Sequence, residues 1–201
     1  MKVMKFCILH GVHMTTSSYV SPDMEKVHDE AVKKDVVVLN EIGLDPGIDI
    51  MGTMKILHDA QERGWKVVSY ESYCGGLPVA EHATNPMGYK FSWNPGAAIK
   101  ASRNLATFKR DGKKVSIAEP LKDAKHADDV SVAMKFEVYP NRDSLVFQEK
   151  FGMHDCETFI RGTFRYKGFS AVSKTQTSAM ISLNFRLYQP STTLASRATT
   201  K

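Results

Sequence analysis

Apolar positions in the first 74 residues fall into short β-branched runs separated by stretches of helical period. Lys5 to Met14 predicts a short strand that runs into the polar cluster TTSSYVSP (15–22). Ser21-Pro22-Asp23 predicts a helix start, with Ser21 as N-cap and Pro22 at the first helical position, ahead of MEKVHDEAVKK (24–34). Asp35 to Ile42 is β-branched and unbroken by glycine or proline, the pattern of a strand buried on both faces in a parallel sheet. Past GLDPGID (43–49), a helix is predicted from about Ile48 to Arg63, closed by Gly64 as the C′ residue. Trp65 to Tyr73 then alternates as a strand. The order β-loop-α-β-loop-α-β is the repeat of an open α/β sheet.

The pattern changes at Cys74. CGGLPVAEHATNPMGYKFSWNPGAA (74–98) has prolines, glycines and aromatics at irregular spacing and predicts an ordered loop. A helix is predicted over AAIKASRNLATFKR (97–110), stopping at Asp111-Gly112. KKVSIAEP (113–120) and VSVAMKFEVYP (130–140) predict strands, YPNRDS (139–144) a turn, SLVFQEKFG (144–152) a helix and TFIRGTFRY (158–166) an alternating strand. From about Lys174 the chain is rich in Ser and Thr with no clear period, and a poorly ordered tail is expected there.

Composition narrows the classes. With 201 residues, 42% hydrophobic and 24% charged, the chain has the material for a real core. The net charge of +5 comes from scattered basic residues with no extended patch, so nucleic-acid binding has no motif behind it. Three cysteines, Cys7, Cys74 and Cys156, include no CxxC pair and read as reduced thiols. No run of about 18 apolar residues is present to span a membrane. The histidines show no metal-ligand spacing, so no metal is predicted. Neither GxGxxG after a strand nor GxxxxGK[ST] occurs.

In an open parallel sheet, ligands bind beyond the carboxyl ends of strands. TTSSYVSP, GLDPGID and CGGLPVAE are the three loops at such ends, and they carry Ser18 and Tyr19, Asp45 and Asp49, and Cys74. Asp45 or Asp49 can cap the next helix, with the glycines as turn residues. Asp49 lies nearer the helix start, which leaves Asp45 free to face the crevice. Cys74, before Gly-Gly, is either a buried structural thiol or one that approaches a substrate. Arg142, Arg161 and Arg165 are planar forks suited to carboxylates. Arg161, Thr163 and Arg165 share one face of their strand. They form either a solvated basic edge or a site for a substrate with more than one carboxylate.

TTSSYVSP, NEIGLDPGID, SYCGGLP with NPMGYKFSW, YPNRDS and RGTFRYKGF occur in the order and approximate spacing of saccharopine reductase, the glutamate-forming saccharopine dehydrogenase family of lysine metabolism. The resemblance covers roughly residues 10 to 173. It implies the terminal part of a Rossmann-like parallel sheet (1–48) joined to an α/β (α+β) substrate-binding and dimerisation domain (49–173), with 174–201 a divergent tail. It also implies NADPH-dependent reduction of the imine of glutamate and aminoadipate semialdehyde to saccharopine, and the reverse oxidation. By motif match, Ser18, Tyr19, Asp45, Arg142, Thr163, Phe164 and Arg165 fall where the family contacts saccharopine. Tyr19, Asp45 and Cys74 align with the polar cluster around the reacting carbon. Leu44 and Asn94 fall near positions that touch NADP.

The family's glycine-rich nucleotide loop lies upstream of TTSSYV and is absent here. The resulting expectation is an internal fragment that binds NADPH weakly or not at all and is inactive alone. The alternative is a non-catalytic module that dimerises or binds an acidic amino acid. A homodimer is implied, in the cytoplasm or, for a bifunctional lysine-degrading form, in mitochondria.

Overall fold

The computed structural model describes residues 1–92, 95–101 and 104–174. Asn94 and the Ser/Thr-rich stretch after Lys174, both singled out by the sequence, lie outside the described residues.

The chain opens with a helix where a strand was predicted: α1 spans Lys2–Leu9. Met4 and Ile8 are four residues apart, so they share one helical face, and both are buried against Val27, Ala31 and Val36. Strand β1 follows as Met14–Thr15. Ser21 caps the next helix as predicted, its side chain accepting the Met24 N–H. That helix is broken into α2 (Pro22–Glu25) and α3 (His28–Lys33).

The β-branched run at 35–42 yields only β2, Val38–Leu39, paired in parallel with β1 through Met14↔Val38 and Thr15↔Leu39. Asp35 and Glu41 both take positive φ (54° and 62°), which ends the extended conformation on either side. With β1 as the hydrogen-bonded neighbour of β2 among the described residues, Val37 stays 60% exposed and is not buried on both faces. The predicted continuous parallel sheet over residues 1–74 is therefore not formed. β3 (Ser69–Cys74) joins a different sheet.

Between them, α4 (Ile48–Glu62) matches its prediction closely, and Gly64 beyond its end has φ +67°. Its buried stripe of Thr53, Leu57 and Ala60 leads through Leu57 to Met153, Cys156 and Phe159.

The second sheet has six strands. Helix α5 (Pro95–Ala101) is shorter than predicted, and Ala106–Arg110 is strand β4. Asp111 and Gly112 form a tight turn with both φ positive (50° and 74°) into β5, Lys113–Ile117. Asp-Gly between alternating residues is a hairpin signal, and here it outweighs the helical period of 97–110. Ala106 and Phe108 are fully buried, which a solvated helix end would not achieve.

β6 (Lys125–His126), β7 (Phe136–Pro140), helix α6 (Leu145–Lys150) and β8 (Thr158–Tyr166) complete the order. β7 begins six residues later than the apolar pattern from Val130 suggested, and Val132 is 99% exposed. The sheet runs β5-β4-β8-β7-β6, with β3 also paired to β8. β3 and β8 are parallel, Ser69↔Thr158 to Cys74↔Thr163, while β7 and β4 pair with β8 antiparallel. β8 is thus the hub, and its first residues are buried on both faces rather than alternating. Gly162 is required there: a Cβ would collide with the Tyr139 carbonyl and the Tyr73 ring.

Candidate functional site

The loops that follow β1, β2 and β3 converge on a cavity of about 590 Å³. Ser18 and Tyr19 come from the first loop, Leu44 and Asp45 from the second, and Cys74 closes β3. Across from them, the β7–α6 turn contributes Asn141 and Arg142, and β8 contributes Thr163 and Arg165. Residues more than 140 positions apart in the chain therefore line one space.

The loop carrying Asp45 is held by its own backbone. Gly43 N–H donates to Pro46 O (2.9 Å) and Ile48 N–H donates to Gly43 O (2.9 Å). Gly47, at φ +150°, is pressed so closely onto Gly43 that no Cβ fits. The Asp45-Pro46 peptide is cis. Gly47 is the N-cap of α4 and provides no side chain, so Asp49 is not the cap the sequence suggested. Asp49 sits in the first turn and folds back, Oδ1 accepting the Gly47 N–H at 2.8 Å.

Asp45 is the centre of a charged cluster. Its Oδ1 accepts the Tyr19 hydroxyl at 2.6 Å and Arg161 Nη2 at 3.0 Å. The same Arg161 nitrogen donates to Asp49 Oδ2. Arg161 is only 10% exposed, and its guanidinium lies 3.9 Å from the centroid of the Phe147 ring. Burial alone would depress it, yet Tyr19, Asp45 and Asp49 hold it above its ordinary value. Arg161 Nη2 is thus engaged by two carboxylates of its own chain.

Tyr19 is raised well above the usual phenol range, first by burial and then by its hydrogen bond to Asp45. It is therefore a neutral O–H donor and not a phenolate base. Burial likewise pushes the Cys74 thiol up, with the charges of Asp45 and Asp49 adding to it. Cys74 lines the cavity as a protonated thiol and lacks the electropositive setting of a nucleophilic thiolate.

The other two arginines are placed differently. Arg142 adopts φ +57°, an unusual backbone for a side chain of its size, with its carbonyl accepting the Thr107 N–H at 2.8 Å. That turn sets its guanidinium 5.4 Å from the Tyr19 ring centroid. Arg165 lies over Tyr89 (4.6 Å) and Phe169 (5.2 Å), with Nη1 donating to the Phe164 carbonyl at 2.7 Å. Its buried Nε has no hydrogen-bond partner among the described residues. A Cβ on Gly75 would strike this arginine and the Phe164 carbonyl, so glycine there lets Arg165 take its position.

Phe164 is the predicted site residue whose side chain is elsewhere. It packs on Phe136 at 4.6 Å and faces the core of Ala127, Phe136 and Val138, so only its carbonyl touches the site through Arg165. Period 2 explains this: with Thr163 and Arg165 on the cavity side, residue 164 must point away. Sequence reasoning did not single out Tyr89 and Phe169, the aromatic shelf beneath Arg165. Their partner in the core, Tyr139, also lines the cavity. Nor did it couple Arg161 to Asp45. The only hint was Arg161 sharing a strand face with Arg165. Among the described residues no group of acidic, Cys or His side chains could hold a metal ion, and no helix is long and apolar enough to cross a membrane.

Residues 43–186 match the family described as the saccharopine dehydrogenase C-terminal domain. The chain is 44% identical over 168 residues to a saccharopine dehydrogenase [NADP(+), L-glutamate-forming] of Schizosaccharomyces pombe, covering 83% of this chain and 37% of that protein. It is 42% identical over 182 residues to an alpha-aminoadipic semialdehyde synthase of Arabidopsis thaliana, covering 86% of this chain and 17% of the relative. Among solved structures it resembles apo saccharopine dehydrogenase (L-Glu forming) of Saccharomyces cerevisiae, with TM-score 0.79 and 40% identity. That match covers 87% of this chain and 40% of the yeast one. The chain thus spans less than half the length of each of these relatives.

Proposed function

The chain belongs to the saccharopine dehydrogenase family, and from that premise we propose that its cavity binds saccharopine for NADP-dependent oxidation, or the imine of glutamate and aminoadipate semialdehyde for the reverse reduction. The observation that carries this reading is the charge pattern of the wall. Asp45 and Asp49 face a single guanidinium, Arg161, which leaves a net negative charge beside the cavity. Arg142 and Arg165 add positive charge to the same wall. A ligand with a cationic nitrogen and several carboxylates is complementary to both signs. Saccharopine, a secondary amine bearing three carboxylates, is such a ligand.

In this reading Asp45 holds the positively charged nitrogen of the amine or imine by charge and hydrogen bonding. Tyr19, a neutral donor bonded to Asp45, orients that carboxylate. Arg142 and Arg165 hold carboxylates, with Ser18 and Thr163 supplying hydroxyls beside them. Cys74, protonated, shapes the wall near the reacting carbon without acting as a nucleophile. NADP, when bound, supplies the hydride acceptor. Leu44 and the bare backbone of Gly75 and Gly76 line the same cavity, where a flat nicotinamide ring can approach closely. The Rossmann-like origin of residues 1–48 belongs to this proposal. It is supported by the parallel pairing of β1 with β2 and by a family match that starts at residue 43. Pairing of two copies through the later domain, and residence in the cytoplasm or in mitochondria, are part of the same reading.

Isothermal titration of saccharopine into the chain tests it. Saccharopine is expected to bind and glutamate alone to bind more weakly. Asp45→Ala should lower the affinity by about tenfold or more while the melting temperature changes little, as for loss of one charge-assisted contact. Equal affinity in wild type and Asp45→Ala would end the assignment.

A further inference from the structure

Three features around Arg161 are not accounted for by a surface ion pair. Its main chain is fixed deep in the fold: Arg161 N–H donates to Ser144 Oγ at 2.9 Å, and Ser144 is buried. Its side chain lies against Phe147, which fixes the plane of the fork. Phe147 also meets the Tyr19 ring edge-on at 6.1 Å. Finally, one guanidinium nitrogen serves both carboxylates, and Asp49 is locked by the Gly47 N–H.

We infer that Arg161 is a positioning residue: braced by Asp49, Phe147 and Ser144, it fixes the Asp45 carboxylate so that Oδ1 is occupied and Oδ2 is left for the ligand. Asp45 Oδ1 is shared by Tyr19 and Arg161, whereas Oδ2 has no partner among the described residues. A carboxylate with two free rotors would need to be ordered at binding, and a pre-set one does not. Arg161 donates from β8 while Asp45 comes from the loop after β2, so the contact also ties the two halves of the cavity wall at the reacting position. A lysine, with one compact ammonium and no planar fork to lie against Phe147, does not reproduce the geometry. This inference rests on the proposed reading of Asp45 as the group that holds the ligand nitrogen.

The test separates positioning from mere stabilisation of a buried acid. In Arg161→Met the two carboxylates lose their counter-charge, and the fold is weakened. Arg161→Met/Asp49→Asn removes one charge of each sign, and its melting temperature is expected to return most of the way. The saccharopine affinity of that double variant should nevertheless stay about tenfold below wild type. A second readout needs no ligand. The Tyr19 hydroxyl proton, donated to Asp45, is followed by NMR as an exchange-protected downfield signal assigned by its loss in Tyr19→Phe. It is expected to be lost or strongly shifted in the refolded double variant. Arg161→Lys should fold, shift the signal and recover affinity only in part, which keeps the test alive if the double variant is unstable. A wild-type signal and wild-type affinity in either folded variant would overturn the assignment. If saccharopine fails to bind wild type, the proposed function falls, while the hydroxyl signal still decides the role of Arg161.

Discussion

The first 48 residues and the six-stranded sheet are built on opposite principles. The early part packs short helices over a two-residue strand pair, and its buried cluster of Met4, Ile8, Val27, Ala31 and Val36 opens onto a groove of about 550 Å³. The sheet instead runs its longest strand, β8, through the centre, with Phe108, Phe159 and Ile160 excluded from solvent. Yet Tyr19 and Asp45 come from the loosely supported side. Contacts from the other side reach them: Arg161 donates to Asp45, and Arg142 lies over Tyr19. The Asp45 loop is braced by its own backbone, and the sheet adds one charged contact to its carboxylate.

The comparison can be broken first in the cores. Phe159→Ala should cost about 3–5 kcal/mol, since a ring with no exposure leaves an enclosed void. Urea denaturation measures it, and a cost below that of Ile8→Ala would reverse the ranking. Next is Glu137, a buried carboxylate on β7 that accepts the Gly168 and Ser170 N–H groups and so anchors Phe169 under Arg165. Glu137→Ala should lose about 2–3 kcal/mol by leaving those donors unpaired, again read from denaturation midpoints. Ile8→Ala, beside the open groove, should lose about 2 kcal/mol, at the low end for such a truncation because the site can collapse.

Smaller effects sharpen the same contrast. Ser21→Ala removes the only side-chain cap of α2 seen among the described residues and should cost about 1 kcal/mol by thermal melting. Cys74 tests the electrostatics of the shared wall. Its thiol is raised by burial and by Asp45 and Asp49, so the reactive thiolate is scarce at neutral pH and grows only as pH passes above the ordinary thiol range. Alkylation of Cys74, followed by peptide mass spectrometry, should have a pH midpoint above that of a free cysteine peptide. A midpoint at or below the peptide's would mean that positive charge dominates there.

Much was legible along the chain. The Ser21-Pro22 start, α4 with Gly64, α6 and β8 follow from local chemistry, because caps, helical period and glycine punctuation act within a few residues. The loops that carry Ser18, Tyr19, Asp45 and Cys74 were also found by the rule of strand ends. What failed was burial that depends on remote partners. Asp35 to Ile42 reads as a doubly covered strand, but the backbone turns at Asp35 and Glu41 and β1 alone pairs with the part between them among the described residues. Residues 106–110 have helical period and become a strand because β5 and β8 supply their hydrogen bonds.

Residue identity alone determined which side chains are available: two acids beside a glycine-proline turn, a tyrosine ahead of a proline, two arginines on one strand and a third in a turn. Tertiary structure alone decided their division of labour. Arg161 and Arg165 stand four residues apart on one strand face, and nothing in that spacing distinguishes them. Arg161 meets Asp45 and Asp49, whereas Arg165 lies on Tyr89 and Phe169. A charge becomes an internal brace or stays over an aromatic shelf at the cavity wall according to which groups the folded chain brings within hydrogen-bonding distance.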